Sequence, residues 1–336
     1  MKKFILSVAA LATILISCSK EEVVSTQEGA DQEIVLDNGE QLGKTRKCFA
    51  AENLASQLAQ NPKLALTMET IEAKTKSFIQ TKRPPNSGGG DEPSSDFPVV
   101  TIPVYVHVIY NNSQENISDA QINSQIAVLN KDFRLTNGDA SLVPSEFSGN
   151  AADTQIQFSL TGITRKFSTR AEWGTRDDMK KSSQGGVDPI DPANYLNIWI
   201  CNIGGGILGY AQFPGGSATT DGVVIAAPYF GTEGYVSAPF DLGRTATHEV
   251  GHYLNLRHIW GDGRCRQDDF VNDTPASDRS NYGCPSYPTT HCKSNDMTMN
   301  YMDYTNDACM YMFTNGQKLR MRAVLESGGA RASLAL

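Results

Sequence analysis

The stretch HEVGHYLNLRH, residues 248–258, holds three of the five histidines in a chain of 336 residues. His248 and His252 stand four apart, so a helix through them projects both rings from one face, one turn from each other, where they can bind a single ion. Glu249 lies between them in sequence and can reach the open side of that ion without ligating it, which is the position of a general base. His258 comes six residues after His252, and a continuing helix would turn it away. It returns to the ion only if the chain breaks direction. Asn255 marks the break, because asparagine is the residue after glycine that best tolerates left-handed φ and ψ.

Working outward, the composition is that of a globular protein with an acidic lean: 40% hydrophobic, 20% charged, formal charge −8. That balance argues against nucleic acid as a partner. The N-terminus, MKKFILSVAALATILISCSKEE, has a basic start, an apolar run too short for a comfortable membrane span, and small residues before Cys18. It reads as an export signal over 1–18. Leu15, Ile16, Ser17 and Cys18 resemble a bacterial lipobox, in which the cysteine is lipidated; Lys20, Glu21 and Glu22 resemble the signal that sends some lipoproteins to the outer face. The expected location is therefore an outer-membrane or cell-surface lipoprotein precursor.

Residues 19–81 are polar with helical patches interrupted at Asn61-Pro62, and 82–96 are rich in proline, glycine and serine, a linker by composition. From 97 the pattern alternates. VVTIPVYVHVIYN reads as a strand and SDAQINSQIAVLNKDFRL, capped by Ser118, as an amphipathic helix. IQFSL, LNIWICNI, LGYAQF and DGVVIAAPYF read as further strands, before a helix from Arg244 through the histidines. After Trp260 the sequence is loop-rich until a last helix at GQKLRMRAVLES. Export implies an oxidising compartment, and Cys265, Cys284, Cys292 and Cys309 make an even set for which sequence alone permits three pairings. Cys201, within LNIWICNI, reads as a buried apolar residue.

One more feature accompanies the histidines: NYMDY, residues 300–304, offers Met302 in a tight turn. With HEVGHYLNLRHIWGD, CRQDDFVNDTPA, the spaced cysteines and NYMDYTNDACMYMFTNGQ, the chain from about Pro98 to Glu326 resembles the pappalysin family of metzincin zinc metallopeptidases, especially its bacterial cytophagalysin branch. The resemblance implies an α/β (α+β) metzincin-type zincin. A twisted mixed sheet with a backing helix and the active-site helix (97–258) would precede a loop-rich, disulfide-stapled C-terminal subdomain (259–336).

It further implies that His248, His252 and His258 ligate zinc, leaving a place for water that Glu249 deprotonates. Tyr304 would stabilise the oxyanion. Bridges would join Cys265 to Cys292 and Cys284 to Cys309. In relatives the acidic loop binds calcium, here through Asp269, Thr274 and the Asn272 carbonyl. Cys48, in the basic stretch Arg46-Lys47-Cys48, would occupy the water position in a pro-segment and silence the enzyme. LGYAQF would be the rim where an extended protein or peptide substrate adds as a strand. Lipid would tether only the precursor, and cutting within 82–90 would release the catalytic domain. Relatives that cut before arginine carry an acid in the loop just before the last cysteine; here Asp307 is near but Ala308 holds the adjoining place, so no basic preference is expected. The alternative from another class is a surface binding protein or adhesin on the same scaffold, without proteolysis.

Overall fold

The computed structural model describes residues 45–82 and 97–335. The export signal with Cys18 lies outside the described residues, as does the linker after Lys82.

Strand β1 (Val100–Tyr110) is built from β-branched and aromatic residues, and Ile102, Val104, Val106 and Val108 are fully buried. Each such side chain contributes about 1.5–3 kcal/mol when removed from water. The helix that follows, α3 (Asp119–Phe133), starts where Ser118 Oγ accepts from the Gln121 amide at 3.1 Å. It returns the chain to β2 (Ile156–Phe167), which pairs parallel to β1, as a strand–helix–strand crossover requires. β3 (Leu196–Cys201) is buried along its whole length, Cys201 included. β4 (Gly209–Ala211) and β5 (Val223–Ala226) complete a sheet in the order β2-β1-β3-β5-β4. Only β4 runs antiparallel, against β5, so it presents an edge with free backbone groups.

Helix α4 (Arg244–Tyr253) carries the first two histidines and is buried on every face, as a helix does inside a core. Its start is fixed by charge: Arg244 binds Asp132 of α3 at 3.0 Å and Asp139 at 3.0 Å, while Thr247 donates to Asp132 at 2.7 Å. The remainder of the domain is loops held by disulfides Cys265–Cys292 and Cys284–Cys309. It closes with α5 (Asn315–Leu325), whose entry is a reciprocal capping box between Thr314 and Gln317. Gln317 also exchanges two hydrogen bonds with Asn300, both 2.9 Å, and Asn300 accepts from the Met302 amide at 2.9 Å. The cap of α5 thereby fixes the methionine turn.

Ahead of β1, α1 (Ala50–Gln60) and α2 (Lys63–Lys82) break at Asn61-Pro62, since proline in a third turn would remove a helical hydrogen bond. The stretch before α1 lies along β4: Cys48 bridges Gly209 in parallel sense, the Leu208 amide donates to the Lys47 carbonyl at 2.9 Å, and the Phe49 amide to the Gly209 carbonyl at 3.1 Å. The N-terminal segment thus takes the free edge of the sheet.

Candidate metal centre

The site is built where α4 ends. Asn255 has φ +78, a left-handed conformation that asparagine tolerates and β-branched residues do not. The reversal brings His258 back beside His248 and His252, and all three are buried. Met302 lies beneath them. At Gly251 an added Cβ would sit 2.5 Å from the Met302 sulfur, so α4 and the methionine turn approach as closely as they do because residue 251 has no side chain.

Each imidazole is aimed by its Nδ1. That of His248 meets the Tyr301 carbonyl at 2.7 Å, that of His252 the Leu256 carbonyl at 2.9 Å, and that of His258 the Asp262 carboxylate. A ring donating through Nδ1 keeps an unprotonated lone pair on Nε2. The three Nε2 atoms converge, with His252 3.1 Å from each of the other two. Three lone pairs at that spacing repel rather than bond, and a cation between them removes the conflict. Tetrahedral zinc, with Zn–N of about 2.0 Å, sets its donors roughly 3.3 Å apart. Burial, reinforced by the neighbouring histidines, pushes His248 and His252 well below the ordinary imidazole range, so both are neutral and suited to ligation. These residues fit a zinc ion.

The Cys48 thiol joins the same cluster, its sulfur within 4.8 Å of the histidine donors. It also donates to Glu249 Oε2 at 3.4 Å. Burial drives the Cys48 thiol far up and the Glu249 carboxyl up to about 8; the thiol's hydrogen bond and Arg46 restrain the carboxyl. Tyr304 stands at the rim of the cluster, its ring 4.9 Å from that of His258 and its hydroxyl donating to the Cys48 carbonyl at 3.5 Å.

Beside the cluster, Asp307, the neighbour of Ala308, faces the N-terminal segment. The 3-10 turn Asp307–Cys309 points residue 307 inward, and the Leu242 and Arg244 amides hold one of its carboxylate oxygens at 2.9 and 3.1 Å. The other oxygen receives the Arg46 guanidinium at 2.6 Å, which also reaches Thr245 Oγ1 and the Thr305 carbonyl and lies over the Phe240 ring. This is a buried arginine pocket, and its acid is Asp307. Sequence reading noted Asp307 as a nearby acid and gave the place to Ala308. It missed Asp262 and the Tyr301 carbonyl as the groups that orient His258 and His248. Asp269 accepts from Thr274 Oγ1 at 2.7 Å and from the Val271 amide at 3.1 Å, away from the histidines.

Two histidines on a helix, a third returned by a left-handed turn, a methionine turn beneath, and an antiparallel edge strand alongside define a metzincin-type metallopeptidase. The chain belongs to the pregnancy-associated plasma protein-A family, peptidase family M43, whose pattern matches residues 181–326. An extracellular metalloprotease of Pyricularia oryzae is 35% identical over 236 residues, 67% of this chain and 75% of its own length. One from Arthroderma benhamiae is 35% identical over 235 residues, covering 66% and 76%. Among solved structures, a Tannerella forsythia promirolysin variant is 42% identical with TM-score 0.77, covering 86% of this chain and 97% of its own. Mature mirolysin in complex with a cleaved peptide, from the same organism, is 47% identical with TM-score 0.70, covering 72% and 97%. The chain is an exported zinc metalloendopeptidase made as a proenzyme.

Proposed function

We propose that the mature domain cleaves extended polypeptides on the amino side of basic residues, and that residues 45–82 silence it by filling the same cleft. One observation carries this reading: Arg46 sits on Asp307 while Cys48, two residues on, sits on the three histidines. The segment also pairs with β4 in the parallel sense. Antiparallel pairing is the more stable arrangement for an added strand, so a substrate would run the other way. The pro-segment then offers its peptide groups in reverse order and escapes cleavage.

When held by His248, His252 and His258, zinc supplies a water of pKa about 7 and polarises the scissile carbonyl. With the thiol withdrawn, Glu249 takes the proton from the attacking water at Oε2 and delivers it to the leaving amine. The Tyr304 hydroxyl, freed from the Cys48 carbonyl, donates to the substrate oxygen as charge develops. Asp307 holds the basic side chain after the cut, and the β4 backbone aligns the chain through hydrogen bonds.

The same reading divides the chain into a lipoprotein-type signal (1–18), a pro-segment (19–81), a linker (82–96) and a catalytic domain (97–336). Cys18 carries lipid on the precursor, so release in the linker leaves the lipid behind. Calcium at the acidic loop would be held by Asp269, Thr274 and the Asn272 carbonyl, of which Asp269 and Thr274 lie together at 2.7 Å. Thermal melts with calcium and with a calcium chelator test that part separately.

The test of function is incubation of self-processed enzyme with unfolded protein, with and without a zinc chelator, beside Glu249→Ala, with cut sites mapped by mass spectrometry. Cleavage that survives Glu249→Ala sinks the mechanism. Cuts with no basic residue following them sink the specificity.

A further inference from the structure

One contact of the pro-segment serves neither the metal centre nor the Asp307 pocket. Glu72 of α2 closes both carboxylate oxygens on Arg320 of α5, at 2.7 and 2.9 Å. Arg320 is buried, donates to the Asn255 carbonyl at 3.2 Å, and lies 5.3 Å from the Phe270 ring. Arg257 comes up beside it. Its Nε is buried without a hydrogen-bond partner, and its guanidinium lies 4.7 Å over the Phe213 ring. A cavity of about 320 Å³ opens here, walled by Met68 and Glu72 on the pro-segment side and by Pro214, Arg257 and Phe270 on the catalytic side. Most of the cavity wall is pro-segment, so removing that segment takes the carboxylate from Arg320 and uncovers Pro214, Arg257 and Phe270.

We propose that Arg320 and Arg257 form a subsite for an acidic side chain of the substrate, lying before the scissile bond, and that Glu72 fills it in the precursor as Arg46 fills the Asp307 pocket. This rests on the reading of the chain as an endopeptidase that cuts before basic residues.

Location follows from the pairing. Arg46 precedes Cys48, and the segment runs parallel to β4, so Asp307 lies toward the start of that strand. Phe213 lies beyond its end, 5.3 Å from the His252 ring. From His252 through Phe213 to Arg257 is at most about 10 Å, the span of roughly three extended residues at 3.3 Å each. The basic and acidic recognition points therefore flank the metal centre. The chemistry favours a carboxylate: a guanidinium matches it with two parallel hydrogen bonds, the geometry Glu72 already adopts.

The test uses self-processed enzyme and quenched peptides with arginine after the cut and Glu, Gln or Lys three to five residues before it. The Glu peptide is expected to exceed the Gln peptide about tenfold in kcat/KM, with Lys lowest. Arg320→Gln brings the Glu-to-Gln ratio to about one, and Arg320→Glu inverts it toward Lys, a swap no scaffold role produces. Equal rates for the three peptides with wild-type enzyme overturn the subsite, and so does Arg320→Glu that slows all three alike. Binding of the labelled peptides to chelator-treated enzyme, read by fluorescence anisotropy, separates the two ideas. A Glu preference in binding with no cleavage of any peptide removes the endopeptidase reading and keeps the subsite. Cleavage before arginine with no Glu preference does the reverse.

Discussion

Asp307→Asn separates the charge in the basic pocket from the scaffold around it. One carboxylate oxygen of Asp307 holds the amides of Leu242 and Arg244, and the other faces the Arg46 guanidinium at 2.6 Å. Asparagine keeps an acceptor for the amides and loses the charge that faces the guanidinium. A hydrogen bond to a charged group contributes about 1.5–3 kcal/mol, and about 1.4 kcal/mol is tenfold in rate or affinity. The variant should therefore cleave a peptide with arginine after the cut about 10- to 100-fold less efficiently. A matched peptide with leucine there should change little. In the precursor the same substitution strips the partner from a buried arginine, the case in which a broken pair is most costly. The latent form should then release its segment sooner and process itself faster. The assay is a pair of quenched peptides differing only in the residue after the cut, followed with the self-processed enzyme, beside a time course of precursor cutting on gels. A thermal melt shows that the fold is kept. Equal loss on both peptides, or none on either, refutes Asp307 as the residue that reads the substrate.

Three further outcomes are expected. Cys48→Ala removes the thiol from the histidine cluster and from Glu249; if that contact contributes about 1.4 kcal/mol, intact precursor hydrolyses peptide about tenfold faster, and a variant as silent as wild type counts against the latency role. Asn255→Gly should leave stability and bound zinc within a few tenths of a kcal/mol of wild type, whereas Asn255→Val, forced to left-handed φ, should cost roughly 1–3 kcal/mol and bound zinc. Melting temperature and metal content by mass spectrometry check this pair, and a fully metallated valine variant would show that the turn does not set His258. Finally, burial pushes the Asp303 carboxyl up to about 7, against about 3.9 in an unfolded chain. Between those values the folded state binds the proton more tightly, so this group makes stability fall as pH rises through that window. Asp303→Asn should flatten the fall in urea unfolding between about pH 4 and 7, and an unchanged slope would refute the assignment.

What could be read in the sequence was set by local periodicity. β1 and α3 announce themselves through a run of mostly β-branched and aromatic positions and a capped amphipathic run. The metal site was legible because two ligands share a helix face and the third needs only one tolerant residue between. Asp307 was not legible. Its direction depends on the Leu242 and Arg244 amides more than sixty residues upstream, and no spacing rule links those positions. Asp262 stands four after His258, a spacing that suggests a helix pair, yet it reaches the imidazole from a turn with φ +56. The Glu72–Arg320 pair joins residues 248 apart, on two helices whose sequences look like ordinary solvated faces. Long-range partners of this kind become visible only when the fold supplies the neighbour.

Three contacts of the pro-segment meet a complementary group on the catalytic domain. Arg46, Cys48 and Glu72 come in that sequence along the chain, and their partners Asp307, the histidine cluster and Arg320 follow the same order along the cleft. A segment meant only to cover a cleft needs apolar contact and no charge matching. This one presents each feature of the cleft with its complement, and the β4 pairing runs in the sense opposite to that expected for a substrate strand. On the proposed reading the contact at Cys48 contributes most, because the thiol meets the histidine cluster and Glu249 together. Loss of any one contact leaves the other two in place, so single substitutions should weaken latency stepwise, and the pair Asp307→Asn with Cys48→Ala should exceed the sum of the two alone only where withdrawal of the segment is one cooperative step.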